Sequence, residues 1–283
     1  MNELTIGIIG GTGGMGRWFE KYFTDNGCRV LIAGRRTALT YEDLAARCRV
    51  IAISTPLRPA LEIVDAIGPS LRPDQLLMDF CSQKEVIVER MAAAAPADVI
   101  GTHPMFAPNT PSVRGQNIIL CPVRDRAGWL PWLESLLTAN GGVVTRLDPA
   151  EHDRKMALAQ SLMHFLTLSF GRMLQELGLS PGEAFRFATP IFRINIDLVG
   201  RLFSQDITLY AELVKKNKYA PEVLGRFARA MAETREAFFE KDEARTLAYM
   251  ESIGDFFGEE FCDQALAETS RALDTMYHPR DGR

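Results

Sequence analysis

The stretch LTIGIIGGTGGMG, Leu4 to Gly16, carries an apolar run directly into a glycine-rich turn. Leu4 to Ile9 is apolar apart from Thr5, as expected of a strand covered on both faces. Gly11, Gly13 and Gly16 then satisfy the spacing G-x-G-x-x-G at the opening of a helical pattern. A strand before and a helix after is the setting in which this spacing binds a dinucleotide. Gly11 permits the tight turn, Gly13 lets the backbone approach a pyrophosphate, and Gly16 lets the helix pack close to the strand. Thr12, Gly14 and Met15 complete the expected phosphate loop, because free N–H groups at a helix start face an anion. The plain alternative is a glycine-rich turn that binds nothing.

The next strand-like run, Arg29 to Ala33, refines the expected ligand. An NAD site places an acidic residue about 20 positions beyond the glycine motif, on the ribose 2′-hydroxyl. Here the run ends Ala33-Gly34-Arg35-Arg36-Thr37, with no acid in reach. Guanidinium groups favour a 2′-phosphate that a carboxylate would repel. The expected cofactor is therefore NADP rather than NAD, with Arg35 or Arg36 on the phosphate; the alternative is a pair of solvated loop charges.

Further along, short β-rich runs (Val50 to Ser54, Leu76 to Phe80, Val99 to Gly101, Asn117 to Cys121, Gly142 to Arg146) alternate with helical patterns. That alternation predicts a doubly wound, Rossmann-type parallel sheet in an α/β domain. After Arg146 the patterns are helical throughout. Asp148-Pro149-Ala150-Glu151 reads as a helix start with Asp148 as N-cap and Pro149 in the first turn. The expected organisation is a dinucleotide-binding domain over 1–150 and an all-helical substrate and dimerisation domain over 151–283. The helix from Met156 is apolar on nearly every face, as at a bundle core or subunit contact.

Composition excludes several classes. The chain has 283 residues, 47% hydrophobic and 24% charged, and a net charge of −4 that lies entirely behind residue 150. These values match a folded globular protein and give no basic scaffold for nucleic acid. Five cysteines (Cys28, Cys48, Cys81, Cys121, Cys262) show no metal-binding spacing, so no metal site is expected and a reducing compartment fits. With no signal-peptide pattern and no apolar run long enough to span a bilayer, the expected location is the cytoplasm, with no membrane partner.

Four histidines are available: His103, His152, His164 and His278. His103 follows the run Val99 to Gly101, at the carboxyl end of a strand, where open α/β sheets bind ligands. Ser82 holds the equivalent place after Leu76 to Phe80. The bland alternatives are a turn before Pro104 for His103 and an N-cap of the helix near Glu85 for Ser82. Arg193 lies among Ile191, Phe192, Ile194 and Ile196, where an unpaired guanidinium is costly, so either an anionic ligand or Asp197 one turn on compensates it. Gln160 and His164, four residues apart, share a helix face. His152, between Glu151 and Asp153, reads as a supporting group, and His278 is assigned no role.

Three collinear blocks, "GTHPMFAP", "EHDRKMALAQSLMHF" and "TPIFRINIDLVGRLFSQDITLYAEL", resemble the prephenate dehydrogenase family, especially the dehydrogenase part of the bifunctional chorismate mutase/prephenate dehydrogenases. No mutase segment precedes the fingerprint, so a monofunctional form is expected. The resemblance implies that His103 accepts the ring hydroxyl proton as hydride leaves the same carbon, that Ser82 orients hydroxyl and imidazole, and that Arg193 binds the ring carboxylate. It also implies that His164 faces the pyruvyl side chain, that Gln160 and Tyr210 belong to the substrate pocket, and that the helical half forms a homodimer.

The expected reaction is NADP-dependent oxidative decarboxylation of prephenate to 4-hydroxyphenylpyruvate in tyrosine biosynthesis. Ala107 in "HPMFAP" and the run "CSQK" depart from the family pattern, which keeps arogenate or an amino-substituted prephenate analogue open as the small-molecule substrate. A reading from another class is a non-catalytic protein that senses NADP.

Overall fold

A computed structural model describes residues 4–204, 206–240 and 242–277; His278 lies outside them. Its first half comprises β1 (Thr5–Ile9), α1 (Gly14–Asp25), β2 (Arg29–Ala33), α2 (Tyr41–Arg47), β3 (Val50–Ile53), α3 (Leu57–Ile67), β4 (Leu76–Asp79), α4 (Glu85–Ala94), β5 (Asp98–Pro104), β6 (Asn117–Arg124), α5 (Trp129–Ala139) and β7 (Val143–Arg146). Then come α6 (Pro149–Met156), a π-helical turn (Ala157–Leu162), α7 (Met163–Glu176), α8 (Pro181–Ala184), α9 (Pro190–Phe203), α10 (Ile207–Lys215), α11 (Ala220–Phe239), α12 (Glu243–Phe257) and α13 (Glu259–Tyr277).

The strands form one sheet in the order β2-β1-β3-β4-β5-β6-β7. β1 to β5 pair in parallel, as the alternating pattern predicts, but β6 runs antiparallel to β5, and β7 is parallel to β6. The sheet is Rossmann-like. Successive residues serve opposite faces: Ile9, Ile51 and Ile53 pack with Leu44, Val64 and Met91 on one side. Ile8, Val50 and Ala52 pack with Phe19, Phe23 and Leu133 on the other. Both layers are fully apolar, which is why the strands read as continuous hydrophobic runs. The strand order reverses between β1 and β3, the place where such sheets open a crevice for ligands at their carboxyl ends.

Two compact units divide the chain: residues 1–161 with 208–220, and residues 162–207 with 221–283. The first therefore extends past 150 and includes α10, an element that helical patterning alone grouped with the back half. Specific bonds hold that segment to the first unit. The Ser161 hydroxyl donates to the Leu213 carbonyl at 2.8 Å, Asn217 Nδ2 to the Asp153 carbonyl at 2.7 Å, and the Tyr219 hydroxyl to Glu85 at 3.1 Å. The second unit is all-helical, with a core of Leu174, Ala184 and Ile196 backed by Phe170, Phe185 and Phe192. No described helix is long and apolar enough to cross a membrane.

Candidate active site

The glycine-rich loop joins β1 to α1 as expected, with a different division of labour among its glycines. The left-handed residue is Gly10, at φ +83°, so it and not Gly11 makes the turn. A Cβ on Gly11 would meet Ile32 at 2.5 Å, and one on Gly16 would meet the Gly10 carbonyl at 2.5 Å. Those two positions need the close approach that only glycine allows. A Cβ on Gly13 would meet only the Gly10 carbonyl, at 3.3 Å, leaving the surface beyond it open. Among the described residues no side chain caps α1, and no acid lies in its first turn. Its N-terminal amides and partial positive charge are left for an anion.

From this loop a cavity of about 360 Å³ extends past Ser54, Thr55, Pro56 and Leu57, after β3, to Phe80, Cys81, Ser82 and Gln83, after β4. Glu212, Leu213 and Lys216 close its other side. Phe80 stacks on Phe19 with ring centroids 3.9 Å apart, which fixes the cavity floor. Arg35 and Arg36 are exposed just beyond β2, in a turn held by the Thr37 hydroxyl, which donates to the Gly34 carbonyl at 3.0 Å. The open loop and the uncapped helix fit the pyrophosphate of a nicotinamide dinucleotide.

His103 is not in a turn. It lies within β5, opposite Ile119 of β6, and is 3% exposed. Its Nδ1 stands 2.9 Å from His152 Nε2, and His152 Nδ1 stands 2.7 Å from Asp153 Oδ1. The Asp153 carboxylate also accepts the main-chain N–H of Lys84 at 2.8 Å and that of Glu85 at 3.0 Å. It thus caps α4 from another element, and Ser82 is left to line the cavity. Partner chemistry orders the protons. A carboxylate only accepts, so His152 carries its proton on Nδ1 and presents Nε2 as an acceptor. His103 therefore donates from Nδ1, and its unprotonated Nε2 accepts from the Gln160 amide Nε2 at 3.4 Å.

Electrostatics keep both rings neutral. Burial pushes the pKa of His103 well below the usual histidine range, helped by His152 and Lys84. Burial also lowers His152, against the opposing effect of its hydrogen bond to Asp153. Lys84 itself is buried; its ammonium pairs with the buried Asp79 carboxylate and donates to the Thr102 carbonyl at 3.1 Å.

The first unit places the Gly13 to Met15 part of the loop and Ser82 on one cavity, joins His103 to Gln160, and includes α10, which carries Tyr210. Arg193 and His164 belong to the second unit. There Arg193 lies 4.5 Å over the Phe185 ring, with its Nε 3.9 Å from Asp197 Oδ2. Burial lowers the pKa of His164. Sequence reasoning missed Asp153, Lys84 and Asp79. The adjacent pair His152-Asp153 was the available signal for the first, whereas nothing local marks Lys84 as buried.

Residues 32–146 match the model of the prephenate dehydrogenase nucleotide-binding domain, and residues 148–252 match that of the prephenate dehydrogenase dimerization domain. A probable arogenate/prephenate dehydrogenase of Methanocaldococcus jannaschii is 32% identical over 276 residues, which cover 91% of this chain and 62% of the relative. The chain thus spans less than two thirds of that relative's length. A 4-amino-4-deoxyprephenate dehydrogenase of Streptomyces pristinaespiralis is 26% identical over 270 residues, covering 89% of this chain and 90% of the relative. In fold, the chain is similar to a prephenate dehydrogenase from A. aeolicus solved with hydroxyphenyl propionate and NAD+. The TM-score is 0.73 at 18% identity, over 89% of this chain and 96% of that one.

Proposed function

Because the chain belongs to the prephenate dehydrogenase family, we propose that it converts prephenate to 4-hydroxyphenylpyruvate by NADP-dependent oxidative decarboxylation, a step of tyrosine biosynthesis. The observation that carries this reading is the hydrogen-bonded chain His103–His152–Asp153, which ends on an unprotonated Nε2. The loop from Gly11 to Gly16 would hold the pyrophosphate, and Arg35 and Arg36 the 2′-phosphate. When bound, the dinucleotide supplies the acceptor for the two-electron oxidation of the ring carbinol.

His103 Nε2 accepts the hydroxyl proton as the carbinol carbon becomes a carbonyl. Ser82 orients that hydroxyl. Loss of the ring carboxylate as carbon dioxide makes the ring aromatic and drives the step forward. His103 then returns the proton to the phenolate oxygen, so the reaction releases no net proton at the ring. Asp153, through His152, stabilises the His103 imidazolium formed in between, as a buried carboxylate does when it orients an imidazole base. From the resemblance of their sequence blocks, Arg193 is assigned to the ring carboxylate, and Gln160, His164 and Tyr210 are assigned to substrate binding.

The similarity to a 4-amino-4-deoxyprephenate dehydrogenase that matches this chain over 90% of its own length supports a second reading, the same chemistry on an amino-substituted ring. Arogenate is the third member of the substrate panel. The helical unit leaves Phe187, Phe203, Phe239 and Phe256 exposed, which supports a homodimer through that unit, acting in the cytoplasm.

The test is the growth of reduced-nicotinamide absorbance with prephenate, arogenate and 4-amino-4-deoxyprephenate, each with NADP and with NAD. The highest kcat/KM is expected for prephenate with NADP. His103→Asn should lower kcat by about 10²- to 10⁴-fold with dinucleotide affinity unchanged; full turnover in that variant would refute the proton-acceptor role.

A further inference from the structure

Lys84 has no part in the chemistry above, yet it is fully buried, and so is Asp79, its partner. A buried ion pair is weak evidence for stability, because desolvation of both charges consumes most of their attraction and an apolar pair of similar volume often serves as well. Its placement suggests another purpose. The Lys84 side chain runs beneath β5, where Gly101 makes room for Val88 and for it: a Cβ on Gly101 would meet Val88 Cγ1 at 2.4 Å and Lys84 Cδ at 3.1 Å. The ammonium then reaches the carbonyl of Thr102, the residue immediately before His103, at 3.1 Å. The main-chain N–H of the same lysine donates to Asp153 Oδ1 at 2.8 Å, the oxygen that also receives His152 Nδ1.

We propose that Lys84 is a positioning residue that brackets the proton-accepting chain, its side chain fixing the backbone that carries His103 and its main chain fixing the carboxylate that orients His152. The inference rests on the reading of His103 as the proton acceptor. Both ends of a three-residue relay are tied to one residue, so an error at either end is not free to accumulate along it. The charges balance the same way. With both rings neutral, Asp79 and Asp153 with Lys84 leave the cluster at −1, and uptake of the substrate proton brings it to zero. Other titratable groups around the cluster are Cys81 beyond β4, Cys121 in β6, Asp148 before α6, and Glu85, whose carboxylate accepts from Lys218 and the Tyr219 hydroxyl. Burial pushes the Cys121 thiol up to about 12 and holds the Cys81 thiol higher still, so both stay uncharged.

The experiment uses full-length protein labelled with ¹⁵N-histidine, whose four histidines are assigned with His103→Asn and His152→Asn. In the parent, long-range ¹H–¹⁵N spectra at pH 7 should show His103 and His152 as single neutral tautomers protonated at Nδ1. The double variant Asp79→Asn/Lys84→Met removes both buried charges together, so no unpaired ion is left behind. Both rings should then show mixed tautomers, and kcat should fall by about tenfold to a hundredfold, the scale expected for a small misplacement of a catalytic group. KM and dinucleotide affinity should stay within about twofold. Unchanged tautomers with parental kcat would overturn the proposal and return Lys84 to a structural role. A measurement free of any variant is amide exchange in the parent: the Lys84 N–H should be strongly protected and exchange only when the first turn of α4 opens, and exchange at the rate of an exposed amide would also overturn the bracket. If the tautomers shift as expected but no cyclohexadienyl substrate is turned over, the bracket stands and the proposed reaction fails.

Discussion

Asp153 and Lys84 meet through a carboxylate and a main-chain N–H, 2.8 Å apart across 69 residues of sequence. Because the same carboxylate oxygen also holds His152, its replacement is expected to act on chemistry and on α4 together. Asp153→Asn offers an amide that can donate as well as accept, so His152 can bind it in the wrong tautomer. The expected outcome is a fall in kcat of about 10²-fold or more, with dinucleotide affinity unchanged in a fluorescence titration. Loss of the charged cap from α4 should cost about 1–2 kcal/mol in denaturant unfolding.

The pH dependence follows from the direction of the His103 shift. Its pKa in the folded protein lies well below 6.5, so the base is already neutral at pH 6.5 and above. The acid limb of kcat/KM, which reports the free enzyme, is therefore expected below pH 6.5. A limb centred above 7 would show that His103 is not the titrating group.

Stability should move in the same window. An unfolded histidine takes up a proton near pH 6.5, whereas His103 and His152 resist protonation when folded. Between the folded and unfolded values the unfolded chain binds more protons, so stability rises with pH there. Their contribution is complete above about 6.5 and is lost as pH falls toward the depressed folded values. A Tm series from pH 7.5 to 5 should decline on the acid side, and less steeply in His152→Gln.

For the cofactor, Arg35→Ala and Arg36→Ala together should raise KM for NADP by about tenfold to a hundredfold, the range of one or two charge-assisted hydrogen bonds to phosphate. KM for NAD should change little. Equal losses with both dinucleotides would place the arginines on a group the two cofactors share.

Arg193→Gln separates its two possible tasks. If it binds the substrate carboxylate, KM for prephenate should rise by at least about tenfold with little change in Tm. The pairing with Asp197 is long and on the surface, and such exposed pairs contribute about 0–1 kcal/mol. A variant with unchanged KM and a lowered Tm would assign Arg193 to the packing of Phe185 and Asp197.

The fold was legible because its signals are local. Leu4 to Gly16 announces strand, turn and helix within 13 residues, and the strands read as apolar runs because both faces of the sheet are covered. Asp148 caps α6 as read, accepting the Ala150 N–H at 2.9 Å. The direction of β6 was not legible, since strand periodicity is the same in either sense. The return of α10 to the first unit depends on Ser161 and Asn217, two polar side chains whose partners are distant in sequence. His103 and Ser82 could be read from their places after strands. Asp153 and Lys84 could not, because each looks like a charge on a helix start until the chain folds them inward.

The carboxylate of Asp153 closes the first turn of α4 with both oxygens and orients His152 with one of them, Oδ1. Opening of that turn, a small and local event well short of global unfolding, therefore also releases the imidazole. Heat should silence the enzyme before it melts the sheet, and the temperature at which activity disappears is a thermometer for one helical turn.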